Sequence, residues 1–191
     1  MAKIVLGIVG EMGAGKSTIT QYVKEKYGAV SFRFSDMLTD IAKRLYIEPN
    51  RPNLQMISSM LRQTISQDIM SKVIMQDAAS ATAPIIIVEG IRRPSDITYL
   101  KELSNFCLIG LTANERLRYE RVCLRSEKPD DQTKTWEEFQ KEGLAEAELE
   151  IKNIKAEAQF QIDNNGTEEE LISQVEKILT ELGLSHEADA K

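Results

Sequence analysis

Histidine occurs once in the 191 residues, at position 186, and cysteine only at positions 107 and 123. A lone histidine near the end of the chain excludes a His-based catalytic triad. Two cysteines are too few for a disulfide framework and offer no Cys/His zinc spacing. Both thiols are expected to be reduced and to pack as small hydrophobes. Long apolar runs are also missing: nothing is long enough to span a bilayer, and Ile4–Val9 is too short for a signal peptide's apolar region plus cleavage site. The expected location is cytoplasmic, with no membrane partner. Basic excess is lacking as well. Lys and Arg total 24 against 30 Asp and Glu, a formal net charge of -6, which argues against a nucleic-acid partner. Any phosphate-handling site must therefore draw its positive charge from a few clustered side chains. Internal repeats and low-complexity tracts are absent, and 42% hydrophobic with 28% charged residues describes an ordinary globular chain.

What is present is Gly10-Glu11-Met12-Gly13-Ala14-Gly15-Lys16-Ser17, between the apolar run Ile4–Val9 and a helix-like stretch. Glycine, four residues, then Gly-Lys-Ser is the phosphate-binding P-loop spacing. Glycines let backbone N–H groups turn inward around anionic oxygens, and the following helix N-terminus adds partial positive charge. Lys16 has the reach for β- and γ-phosphates, and the Ser17 hydroxyl is a Mg²⁺ ligand in such loops. The candidate ATP-binding set is Gly10, Met12, Gly13, Ala14, Gly15, Lys16, Ser17 and Thr18, with Lys16 also catalytic.

Along the rest of the chain, short apolar runs alternate with helical patterns. Strands are expected at Ile4–Val9, Ala29–Phe32, Pro84–Glu89, Phe106–Leu111 and Phe160–Asp163. Helices are expected at Lys16–Tyr27, Ser35–Leu45, within Pro52–Ser80, and at Pro94–Ser104, Asn114–Arg125, Trp136–Ala158 and Thr167–Leu182. Such alternation predicts an α/β fold with a five-stranded parallel sheet, its ligand edge at the strand C-termini. Leu54, Ile57, Leu61, Ile65, Ile69 and Val73 make one helical stripe, and Met56, Met60, Met70 and Met75 beside it read as core filler. The expected organisation is one domain over 1–184, with a helical insertion at about 45–82, a lid at about 118–135, and a disordered tail at 185–191.

Further candidates cluster after the strands. Glu89 ends the third strand, as a Mg²⁺-holding Walker B acid does; Gly90 would allow close approach of a substrate, and Arg92 could grip a phosphate. Arg93 looks the more dispensable of the two arginines. Arg118, Arg121 and Arg125 share one helical face, placing Arg121 and Arg125 as candidate catalytic lid arginines that stabilise a transferring phosphoryl group. Arg116–Glu120 reads as an ordinary helix pair. Ser35 or Asp36 either caps the next helix or, in the case of Asp36, is a candidate catalytic residue at the acceptor. Arg62 lies among apolar residues, where a purely solvated arginine is unexpected. Asn164-Asn165-Gly166 is a turn signal, and Thr167 with Glu170 forms a capping box.

With the P-loop, Glu89-Gly90-Ile91-Arg92, the arginine helix and Asp163-Asn164-Asn165-Gly166 in order, residues 3–182 resemble the P-loop small-molecule kinases, in particular the nucleoside monophosphate kinase and dephospho-CoA kinase-like group. The resemblance implies a three-layer α/β/α P-loop NTPase fold with an acceptor-binding helical insertion and a lid. It implies ATP and Mg²⁺, with Arg62 and Arg92 at the acceptor, beside the candidates Gly90 and Asp36 above, Arg121 and Arg125 in the lid, and Asn165-Gly166 at the adenine. A (deoxy)nucleoside monophosphate is the expected acceptor, with dephospho-CoA as the alternative and a regulatory or assembly NTPase as the reading from another class. Against a GTPase, no Asn-Lys-x-Asp segment occurs. Oligomeric state is left open.

Overall fold

The structure, a computed structural model, describes residues 3–124, 131–144 and 146–184, with the backbone alone at 131 and 146–149. Arg125 and the tail at 185–191 lie outside the described residues, as does part of the lid span.

The first strand, β1 (Ile4–Val9), is buried at every position, as the unbroken apolar run requires. After it come α1 (Lys16–Tyr27), β2 (Val30–Arg33), α2 (Phe34–Arg44), α3 (Arg51–Thr64), α4 (Ile69–Ser80) and β3 (Ile85–Glu89). The chain continues through β4 (Phe106–Thr112), α5 (Glu115–Leu124), α6 (Trp136–Gly143), α7 (Glu146–Ala156), β5 (Phe160–Asp163) and α8 (Glu168–Glu181). All strand pairs are parallel, in the order β2-β3-β1-β4-β5.

Successive strand residues point to opposite faces, and the two cores follow that alternation. Leu6, Ile8, Ile85, Ile87 and Ile109 pack against Ile19 and Val23 of α1 and Leu171, Val175 and Leu179 of α8. Val5, Val9, Ile86, Val88 and Leu108 pack against Leu38 of α2, Ile57 of α3, Ile74 of α4 and Ile154 of α7. The expected three-layer sandwich is therefore formed, and its parallel strands deliver the P-loop, Gly90, Asn164 and the β4–α5 turn to one edge.

Several local expectations change. The stretch within Pro52–Ser80 is two helices. The stripe breaks after Thr64: Ile57 is buried, Ile65 is 61% exposed, and α4 turns Met70, Ile74 and Ala78 inward instead. Met70 is core, whereas Met56 and Met60 are exposed. Pro94–Ser104 is not an α-helix but two single 3₁₀ turns, Pro94–Asp96 and Leu100–Glu102. Asp96 accepts the backbone N–H groups of Arg92 and Arg93, and Ser71 Oγ accepts that of Tyr99. These side chains take donors that an extended helix would otherwise organise. Trp136–Ala158 divides into α6 and α7. Cys107 is buried, its thiol pushed up to about 11 by burial and by the nearby Glu181 charge, while Cys123 is half-buried. Among the described residues no helix is long and apolar enough to cross a membrane.

Candidate active site

The loop after β1 closes with Ala14 N–H on the Glu11 carbonyl at 3.1 Å. Gly13 and Gly15 have φ of 79° and 105°, the left-handed region in which a side chain is strained. Space forbids a side chain too. A Cβ on Gly13 would meet the Arg118 carbonyl at 2.4 Å, and one on Gly15 would meet Asn164 Nδ2 at 2.2 Å. The two glycines are thus required by neighbours that press on the loop, as well as by its curvature.

Helix α1 opens on Gly15 with no side-chain cap and no acidic residue in its first turn; Lys16 stands there instead. A cation at the positive end of a helix dipole is unfavourable by itself. By contrast α6 and α8 open with Thr135/Glu138 and Thr167/Glu170 capping boxes. The uncapped N–H groups and the lysine make sense together with an anion between them. The Lys16 ammonium donates to the Gly10 and Glu11 carbonyls at 2.6 and 3.0 Å, folded over its own loop. Ser17 is exposed and Thr18 half-buried in the first turn.

Side chains to which the sequence reading gave no role hold this loop. Asn164, 4% exposed, donates Nδ2 to the Ala14 carbonyl at 2.8 Å. Its backbone N–H reaches the Thr112 carbonyl, so the end of β5 is fastened to both β4 and the P-loop. Arg118 donates to the Ala113 and Met12 carbonyls, each at 3.2 Å. The Glu11 carboxylate accepts Lys155 Nζ on both oxygens, at 2.9 and 3.0 Å, and is 8% exposed. Burial alone would raise the Glu11 carboxyl. The Lys155 hydrogen bond, the backbone hydrogen bond and the Lys155 and Arg118 charges outweigh it and hold the group below its ordinary 4.5.

This pair yields a stability prediction. Lys155→Met leaves Glu11 buried without its cation, and a fall of about 3 kcal/mol in unfolding free energy is expected. The double variant Glu11→Gln/Lys155→Met should recover most of that loss. Because the folded pKa is depressed, the pair's contribution is full above the unfolded carboxylate value and is lost as pH falls through the folded one. Urea unfolding of the three proteins at neutral and acid pH measures this; equal losses in single and double variants would show that the loss does not come from a stranded Glu11 charge.

Arg121 comes to the same edge. Its NH2 group approaches Asn164 Oδ1 at 3.4 Å, while NH1 is buried and without a hydrogen-bond partner. Burial pulls its pKa below the ordinary guanidinium value. Arg116 instead stacks over Tyr119 and Trp136 at 5.3 and 5.2 Å and pairs with Glu120, as helix spacing predicts. Asn165, exposed, accepts the Asn114 N–H at 2.6 Å and donates to Asp163; Gly166 precedes the α8 capping box.

On the other side of the P-loop, Glu89 is 7% exposed. Arg33 donates to its Oε2 at 3.0 and 3.1 Å, and Oε1 is buried with no partner. An orphaned carboxylate oxygen at the end of β3, on the same edge as the Ser17 hydroxyl, fits a hydrated divalent cation. No group of three or more His, Cys, Asp or Glu residues with metal-ligand geometry occurs among the described residues, so protein oxygens alone would not encage the ion. Gly90 follows, and a Cβ placed on it would meet Phe34 at 3.9 Å, an ordinary contact. Asp36 is exposed in the first turn of α2, which has no side-chain cap.

Arg62 is buried, paired with Asp96 at 2.6 Å and hydrogen-bonded to Ser95 Oγ and the Gln67 carbonyl. It lines a cleft of about 450 Å³ together with Ser59, Gln63, Gln67, Arg93 and Glu150. Arg92, by contrast, is exposed and does not line that cleft.

The parallel 2-3-1-4-5 sheet, the P-loop and this edge define a P-loop kinase-like α/β protein. A family described as "AAA domain" matches residues 9–140, more than half of the chain, and the chain belongs to that family. It is similar to a UPF0200 protein of Hyperthermus butylicus, 26% identical over 180 residues spanning 94% of this chain and 95% of that one. A UPF0200 protein of Sulfurisphaera tokodaii is 27% identical, spanning 92% and 95%. Among solved structures, shikimate kinase from Bacteroides thetaiotaomicron has a TM-score of 0.64 at 14% identity, covering 95% of this chain and 99% of that one. A gluconokinase from Sinorhizobium meliloti has a TM-score of 0.54 at 17% identity, covering 94% and 93%. At such identities the likeness is one of fold.

Proposed function

We propose that the protein is an ATP-dependent kinase that phosphorylates a small anionic acceptor of the nucleoside monophosphate type. The observation that carries this reading is a P-loop with Lys16 at an uncapped helix N-terminus, on the same chain as a polar cleft walled by arginines. In the reaction an acceptor phosphate oxygen attacks the γ-phosphorus of ATP. The bond to the β–γ bridging oxygen breaks, and ADP leaves with its electron pair. The second pKa of a phosphate monoester is about 6, so such a nucleophile is already ionised near neutral pH and needs no general base. The chain's part is alignment and charge neutralisation. Loop N–H groups and Lys16 would hold the ATP phosphates, Arg121 would meet charge on the transferring group, and Arg93 with Arg62 would orient the acceptor. Ser17 and Glu89 would hold Mg²⁺, which supplies further neutralisation of the phosphates. Asn165-Gly166 would pass the adenine.

A second reading, a hydroxyl kinase, is favoured by Asp36 alone: its carboxylate is exposed on the ligand edge and makes no cap. A hydroxyl nucleophile must lose a proton, and a positioned base is worth about a hundred- to ten-thousandfold. Asp36→Asn separates the two readings. With a phosphate acceptor, kcat should fall by less than about tenfold; a loss of about a thousandfold at unchanged acceptor KM would establish the hydroxyl reading. The broader test is ADP release with ATP across nucleoside monophosphates, dephospho-CoA, shikimate and gluconate. Stimulation by a monophosphate alone supports the proposal, and stimulation by one of the hydroxyl acceptors alone overturns it.

A further inference from the structure

The cleft beside α3 is walled by both signs of charge. Arg93 enters from the turn after β3 and Glu150 from α7, and neither has an ion pair among the described residues. Arg62, on the same wall, is already held by Asp96, Ser95 and the Gln67 carbonyl. Its Nε is buried with no hydrogen-bond partner, and the charged groups of this wall without an ion pair are an exposed guanidinium and a half-buried carboxylate.

An ionised carboxylate only accepts hydrogen bonds. Half-buried and unpaired, it is stabilised by ligand N–H donors and repels a ligand carbonyl or phosphate oxygen placed against it. Arg93 has the opposite preference. The position of Glu150 is firm, because Ile151 and Ile154 of α7 are 3% and 1% exposed and Lys155 is fixed to Glu11 of the P-loop. A carboxylate on so well-anchored a helix discriminates between ligands rather than moving aside.

We propose that Glu150 is a specificity-determining residue for the acceptor: the cleft takes a ligand with an anionic group for Arg93 and N–H donors for Glu150. Among nucleoside monophosphates this selects a base bearing an exocyclic amine over its carbonyl counterpart. The inference rests on the kinase reading above.

The test is kcat/KM for matched acceptor pairs that exchange amine for carbonyl: CMP against UMP, AMP against IMP, and GMP against XMP. Hydrogen bonds to charged groups contribute about 1.5–3 kcal/mol, so the wild-type protein should prefer the amine member of its best pair by about tenfold or more. In Glu150→Gln, whose amide both donates and accepts, that ratio should shrink to within about threefold, with the change carried by KM. A merely structural role would depress both members of a pair equally. Phosphorylation of monophosphates without an amine preference, or with one that survives in Glu150→Gln, overturns the inference and leaves the kinase reading standing. Phosphorylation of none of the six overturns both.

Discussion

Lys16→Ala should abolish ATP-dependent turnover while the protein stays folded. The size of the effect follows from where the charge sits. The ammonium stands in the first turn of α1, where no carboxylate or cap competes for the helix N–H groups. Removing one charge-stabilising donor from such a site typically lowers rate by about a hundred- to a thousandfold, and Lys16 is the single cation within the loop itself. The cost in stability should be small. The side chain's hydrogen bonds to the Gly10 and Glu11 carbonyls are lost, but so is the repulsion between a cation and the positive end of the helix. Unfolding free energy should change by less than about 1 kcal/mol. Circular dichroism and thermal melting beside ADP release measure both halves. Retained turnover in a folded variant would remove the phosphate site from the P-loop.

Arg121→Ala should likewise lower kcat by about a hundredfold or more with little loss of stability. Arg121 has one buried nitrogen without a partner and a long contact to Asn164. A guanidinium placed so is poorly satisfied in the unliganded protein, and burial already works against its charge. Its deletion should therefore leave Tm unchanged or slightly raised, whereas loss of a structural arginine would lower it. Arg118→Ala is the internal contrast. Its donors reach Ala113 and Met12 and its backbone presses on Gly13, so a fall in Tm is expected there. Wild-type kcat in Arg121→Ala would return that arginine to an ordinary helix face.

The sheet and the loop were legible because each rests on a local signal. Ile85–Val88 is apolar without a break, and the glycine spacing before Lys16-Ser17 states the turn that the backbone adopts. What was not legible depends on partners distant in sequence. Nothing near Asn164 announces that its amide fastens Ala14, 150 residues away. Nothing near Lys155 announces Glu11, although an acidic residue inside a phosphate loop was a clue that some cation had to face it. Arg62 was marked correctly as more than solvated, but its first partner is Asp96, which sequence spacing does not reveal. Arg93 looks the more dispensable in the sequence, whereas it is Arg93 that lines the cleft, beyond a turn that Asp96 organises. The short turns after β3 were misread as a helix because residues that back-bond to the chain look periodic over so few positions.

The most direct measurement is phosphorus NMR of the protein mixed with ATP, Mg²⁺ and a nucleoside monophosphate. The account predicts that the γ-phosphoryl resonance is replaced by that of a newly formed acceptor diphosphate, together with ADP, and that no signal moves when the acceptor is omitted or Lys16 is alanine. Conversion of ATP to ADP and inorganic phosphate at a rate indifferent to every acceptor would contradict it and make the protein a nucleotide hydrolase.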